Sequence, residues 1–346
     1  MGKCVLKDGR VIQDFADPYI IAEVNSSHNG SMDIAKQMID AAKEAGCDCV
    51  KFQSWTSSSL YSKSYYRQNP IAKRFVDKFA LSSAQLSILA DYCRSQEIGF
   101  SSTPYSREEV DFLADEAEAP FIKIASMELN NIEFLEYIGQ KNVPVVLSTG
   151  MGELYEIKRA VQVLEENGCR DIAILHCVSI YPAELSRMNL NNIVGFREIF
   201  PQHAIGYSDH TLGDTAAVAA VALGAAVLEK HITLDSRKIG MDNQMAMEPE
   251  ELKKFVRKCH NIHVALGSKE RVVLADEYEQ RNNMRRSIIS VRDMKAGEIL
   301  KKEDLDVKRP GTGIPPERLE SLIGCRVLKD VEADTLIMEE NIERLD

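Results

Sequence analysis

The chain has 346 residues, 45% apolar and 27% charged, enough for one large domain with its own core and a smaller one beside it. A formal charge of −11 argues against nucleic acid or an anionic membrane surface as a partner, and no apolar run approaches the length of a membrane span. Eight cysteines are scattered without paired spacing and the opening MGKCVLKDGR does not read as a signal peptide, so the expectation is buried thiols in a cytoplasmic protein.

The first stretch, CVLKDGRVIQDF, holds two short alternating runs around Asp8-Gly9, a dipeptide suited to a tight hairpin turn. Ahead of a barrel, such a hairpin would plug the floor. Strand and helix patterns then alternate regularly. The apolar runs are YIIAEV, CDCVKFQ, IGFSST, PFIKIAS, PVVLSTG, DIAILHC, HAIGYSD and AAVLEKHIT, each followed by a helical stretch, the last being EPEELKKFVRKCHNIHVALG. Eight such pairs predict a (β/α)8 TIM barrel. A doubly wound open sheet would need a glycine fingerprint after an early strand, and AEVNSSHNG carries only Gly30. The barrel and its hairpin are assigned to residues 1–275, a charged linker to 276–284 and a small domain of short β-type runs to 285–346.

Nearly every run ends in polar residues, where a barrel carries its chemistry. Along CDCVKFQ, Lys51 and Gln53 share a face with Cys49 while Val50 and Phe52 take the other, so the lysine points into the lumen. Lys123 sits equivalently in FIKIAS. Two lumenal cations in an acidic protein predict a small, multiply charged substrate such as a phosphorylated carboxylate, although each could instead pair with a lumenal carboxylate such as Glu23 or Glu229.

His210 and His231 end the last two strands and would face one mouth. A cation held by two neutral imidazoles keeps positions open for a substrate oxygen, as Lewis-acid chemistry requires; the alternative is a pair of hydrogen-bonded pocket residues. The long, hydroxyl-rich passage 54–82 after the second strand reads as a lid or acceptor-binding loop, or else as a surface insertion or oligomer contact.

The motifs AEVNSSHNG, VKFQ, FSSTP, IKIAS, LSTGM, LHCVSIYP, IGYSDHT, LEKHIT, RRSI and VKRPGTGIPP, in this order, resemble the sialic acid synthase family over nearly the whole chain. The resemblance implies a TIM barrel followed by an antifreeze-like (SAF, β-clip type) domain. It also implies a transferase that condenses phosphoenolpyruvate with an amino sugar of the N-acetylmannosamine type, cleaving the C–O bond and releasing phosphate to give a nine-carbon 2-keto acid. A divalent metal, usually manganese with magnesium or cobalt as alternatives, and a domain-swapped homodimer are implied as well. Residue by residue, His210 and His231 match the metal ligands and Lys51 and Lys123 the phosphoenolpyruvate lysines, with Ser148, Ser179 and Ser208 beside them. Glu23 and Asp242 match carboxylates near the reacting atoms, Gln53, Tyr181 and Asn243 fall on the substrate side, and Arg309 in KRPG matches an arginine supplied by the partner's tail.

Two departures fall on the acceptor side. A family Gly-x-Asn-His reads Asn25-Ser26-Ser27-His28 here, and a family Gly-Pro-Asp-His reads Gly240-Met241-Asp242-Asn243. The expected acceptor therefore extends to the sugars of legionaminic or pseudaminic acid synthesis. A sugar- or partner-binding barrel without turnover is the competing class, and retention of the whole set of charged site residues argues against it. An aldolase or isomerase is disfavoured because no lysine is placed as a Schiff-base nucleophile.

Overall fold

The computed structural model describes every residue except Ile239 and Asp346 and divides into two compact units, Met1–Gly267 and Ser268–Asp346. In the first, β1 (Lys3–Val5) and β2 (Val11–Gln13) form the antiparallel hairpin, turning at Gly9 with φ +86°, an angle glycine adopts without strain.

Eight parallel strands follow: β3 (Tyr19–Glu23), β4 (Cys49–Gln53), β5 (Gly99–Thr103), β6 (Ile122–Ile124), β7 (Val145–Ser148), β8 (Ile172–Cys177), β9 (Ala204–Asp209) and β10 (Val227–His231). Pairing of β10 with β3 joins the first and last strands, and the remaining seam lies between β5 and β6. Across that seam the Ser101 hydroxyl donates to the Phe121 carbonyl at 2.8 Å.

Helices cover the outside: α1 (Met32–Ala45) follows β3, and α4 (Ser83–Ser95), α5 (Arg107–Asp111), α6 (Ile132–Gln140), α7 (Leu154–Glu166), α8 (Asn191–Ile199), α9 (Thr215–Ala222) and α10 (Pro249–Leu266) follow the other strands in turn. Helix α1 shows why these segments coil. Ser31 caps its start by accepting from the Ile34 amide, Ala35, Met38, Ile39 and Ala42 bury one face, and Gly46 ends it in the left-handed conformation. Burying Met38 and Ile39 contributes roughly 1.5–3 kcal/mol each. None of the described helices is long and apolar enough to cross a membrane.

Two apolar layers separate as the strand period requires. Val50 and Phe52 join the large core between sheet and helices, while Cys49 belongs to an inner cluster with Ile21, Val146, Ala173 and Val227. Cys4, Leu6 and Ile12 of the hairpin complete that inner cluster, so the hairpin stoppers the barrel and leaves its opposite end for chemistry. All eight cysteines are free and buried.

Between β4 and α4 the passage 54–82 carries two further helices, α2 (Lys63–Gln68) and α3 (Pro70–Phe79), with a core of their own formed by Trp55, Tyr66, Val76 and Phe79.

In the second unit the passage expected as a linker coils into α11 (Ala275–Met284), its start set by Glu277 reaching back to the Leu274 amide. Short pairs follow, β11 (Ser287–Ser290) with β12 (Leu305–Lys308) and β13 (Arg326–Val327) with β14 (Ile342–Glu343), around a core that includes Ile288, Leu300, Leu322 and Ile337.

Candidate active site

The C-terminal ends of the barrel strands surround a cavity of about 340 Å³, within the range of small-molecule sites. Glu23, Lys51, Gln53, Lys123, Ser148, Ser179, Tyr181, Ser208, His210, Glu229, His231 and Asp242 all line it. Alternation along each strand selects them: Lys51 and Gln53 from β4, Ser208 from β9, Glu229 and His231 from β10.

Lys51 and Lys123 are both buried and converge on Glu229, at 3.7 and 3.8 Å. Lys51 also ion-pairs with Glu23 and donates to Thr103 Oγ1 at 3.1 Å; Lys123 donates to Ser148 Oγ at 2.7 Å. The pairing with lumenal carboxylates is thus realised, but the contacts to Glu229 are long for charged groups and open to displacement by a substrate anion. Burial opposes the charge on Lys51, yet Glu229 and Glu23 outweigh it and raise its pKa, whereas on Lys123 burial prevails and lowers it. Glu229 is held below its ordinary value because the two lysines outweigh burial. For Glu23 burial wins against Lys51, raising it from 4.5 to about 7, where a carboxyl both gives and takes protons at neutral pH.

The rings of His210 and His231 lie 5.4 Å apart at 68°, with the Tyr181 ring 4.3 Å from that of His210 and tilted 37° to it. Nδ1 of His210 donates to the Val178 carbonyl at 2.8 Å, which fixes the tautomer and leaves Nε2 bare. Burial lowers the pKa of both imidazoles, and for His231 the neighbouring His210 and lysines add to it, so both are neutral. Among the described residues no third protein group completes a metal cluster. The cavity carries Glu23, Glu229 and Asp242 against two lysines, so a dication would correct its charge before an anion binds. On donor type, tautomer and charge, the set fits a divalent ion that keeps open positions.

On the other wall, the loop after β3 is stitched to the loop after β10. Asn25 Nδ2 donates to Asp242, the Met241 amide donates to Ser26 Oγ at 3.3 Å, and Ser27 Oγ donates to Asn243 Oδ1 at 2.7 Å. Asp242 faces the cavity with its pKa raised by burial, which the Asn25 hydrogen bond only partly opposes. Asn243, expected to touch substrate, instead lies behind the wall at 1% exposure, its oxygen taken by Ser27. Both departures from the family pattern therefore sit on one hydrogen bond. Arg309 belongs to the second unit, follows β12 and is exposed.

Glu229, expected only as a carboxylate partner of the two lysines, sits two residues before His231 and so on the same face. Other lining residues carried no role in the sequence reading. Asn25, Trp55, Tyr105 and Ser126 come from loops whose folding no strand period reveals. Gly150, after β7, is required by crowding: a Cβ there would meet Ser179 Oγ at 2.2 Å and Cys177 Sγ at 2.7 Å. Conversely Asp209 and Lys230, at polar strand ends, point outward and pair with each other at 2.7 Å.

An eight-stranded barrel with two lumenal lysines, two neutral histidines and several carboxylates at its mouth has the layout of an enzyme site suited to a small anion. Residues 38–271 match the NeuB family and residues 285–343 the SAF domain, and the chain belongs to the NeuB, or sialic acid synthase, family. It is 36% identical to the N,N'-diacetyllegionaminic acid synthase of Legionella pneumophila, covering 94% of each chain. It is likewise 36% identical to the N-acetylneuraminate-9-phosphate synthase of Homo sapiens, over 94% of this chain and 92% of that one. A solved sialic acid synthetase of Leptospira borgpetersenii, in complex with citrate, superimposes with a TM-score of 0.74 at 30% identity, over 81% of this chain and 96% of that one.

Proposed function

We propose that this chain is a nonulosonic acid synthase, condensing phosphoenolpyruvate with an N-acetylmannosamine-type amino sugar and releasing phosphate. The observation that carries it is the convergence of Lys51 and Lys123 on Glu229 in the cavity that also holds His210 and His231. Phosphoenolpyruvate takes over the lysine contacts to Glu229, with Ser148, Ser179 and Ser208 as hydroxyl donors to its carboxylate and phosphate. The enol carbon is the nucleophile, so no covalent enzyme intermediate is required. Glu23, poised near neutrality, moves the proton of the water that adds to the cationic carbon left by C–C bond formation; the tetrahedral adduct then collapses and expels phosphate. Asp242 orients or deprotonates an acceptor hydroxyl, Tyr181 covers the sugar, and Gln53 donates to it. His210 and His231 would hold a divalent ion, manganese foremost with magnesium or cobalt as alternatives, which supplies Lewis acidity toward the acceptor aldehyde. Arg309 of a domain-swapped partner completes the site.

A 2,4-diacetamido sugar, as in legionaminic or pseudaminic acid synthesis, is the second reading, favoured by the Ser27–Asn243 pair behind the acceptor wall and by the legionaminic relative. Phosphate release from phosphoenolpyruvate with manganese, across a panel of C4- and C6-modified N-acetylhexosamines, tests both. Chelator-sensitive release with one acceptor is expected and names the substrate. Silence across the panel from a folded, metal-loaded dimer would turn the reading toward a sugar- or partner-binding barrel.

A further inference from the structure

Gln53 ends β4 with its side chain on the cavity wall, and its surroundings fix which way the amide faces. Oε1 accepts from the indole Nε1–H of Trp55 at 2.9 Å and from the Tyr105 hydroxyl at 3.0 Å. An indole N–H only donates, so the atom opposite it is the oxygen, and turning the amide over would strand that donor. Nε2 then donates one hydrogen to Glu23 Oε1 at 2.9 Å. A single N–H is left for a ligand.

Both donors are held from outside the barrel wall. Trp55 is buried in the small apolar core that α2 and α3 build around Tyr66, Val76 and Phe79, against which Tyr105 also packs. One carboxylate ties the two segments together: Glu109 accepts from Ser59 Oγ through Oε1 at 2.7 Å and from the Tyr105 backbone amide through Oε2 at 2.6 Å. The inserted passage thus reaches Glu23 through one amide.

We infer that Trp55 and Tyr105 are positioning residues that lock the Gln53 amide, so that the acceptor subsite presents an N–H donor there and selects a sugar group that accepts, a carbonyl or hydroxyl oxygen. Its kinetic consequence rests on the proposed condensation; the lock itself does not.

Trp55 is the single tryptophan, so its fluorescence reads the bond directly. Gln53→Leu removes the oxygen and should shift the emission, whereas Gln53→Glu keeps an oxygen facing the indole and should hold it at the wild-type wavelength. Losing one donor to the lock, in Trp55→Phe or Tyr105→Phe, should raise the acceptor KM roughly tenfold, and the phosphoenolpyruvate KM should stay within about twofold. Unchanged emission in Gln53→Leu overturns the lock, and so does a parallel rise of both KM values, the mark of general loosening. If Trp55→Phe fails to fold, Tyr105→Phe carries the kinetic arm alone. A wild-type enzyme without turnover on any acceptor would sink the condensation reading, while the emission arm still decides the lock.

Discussion

His28 is buried beside Phe52, and its Nδ1 accepts a hydrogen bond from the Gly30 amide at 3.0 Å, a bond that only the neutral ring can make. Burial therefore lowers its pKa from 6.5 to about 4. The unfolded chain takes up a proton near pH 6.5 that the folded chain refuses until about pH 4, so this contribution is complete above 6.5 and is lost as pH falls. The loss is on the order of 3 kcal/mol by the bottom of that window. In denaturant titrations between pH 7 and 4, His28→Gln should flatten the acid limb by up to about 1.4 kcal/mol per pH unit. Equal slopes for variant and wild type would show that the imidazole charges freely in the fold. At this scale the sequence was legible where a strand period governs a side chain, as for Lys51, and illegible where two loops meet. Asn243 looked like a substrate contact because it stands where the family motif carries a histidine on the acceptor side, and only the folded loop shows Ser27 donating to its oxygen.

The ends of β9 and β10 show how an element sorts its own residues. Ser208 and His210 point inward and Asp209 outward; Glu229 and His231 point inward and Lys230 outward. Lys230 Nζ reaches Asp209 Oδ2 and the Thr211 carbonyl, both at 2.7 Å, and Asp209 Oδ1 accepts from the Thr211 amide and the Tyr207 hydroxyl. Both charges are 1% exposed, so each depends on the other. Lys230→Met strands a buried carboxylate and should cost about 3–5 kcal/mol in unfolding free energy. Adding Asp209→Asn should restore most of it, and a double variant no better than the single would mean that the lysine acts by packing alone. The eight strands were legible because each alternates between two chemistries, lumen and helix layer. The coiling of residues 275–284 was not, because an exposed helix without a buried face leaves no apolar period to read.

At the scale of the whole molecule, the second unit has its own core and carries Arg309 exposed beyond β12, while the residues proposed to meet substrate and metal belong to the first. If a partner's tail supplies that arginine, the defects of two variants complement each other. Arg309→Ala spoils only the tail and His231→Gln only the barrel, so a hybrid dimer contains one site made from the intact barrel of one chain and the intact tail of the other. Random mixing makes roughly half of the dimers hybrids with one good site of two, and phosphate release should return to roughly a quarter of the wild-type rate. A tail that serves its own barrel leaves every site in the mixture with one defect, and no recovery follows. Sedimentation of the wild-type chain as a monomer would exclude the swapped arrangement outright, and Arg309→Ala would then test a contact made within one chain.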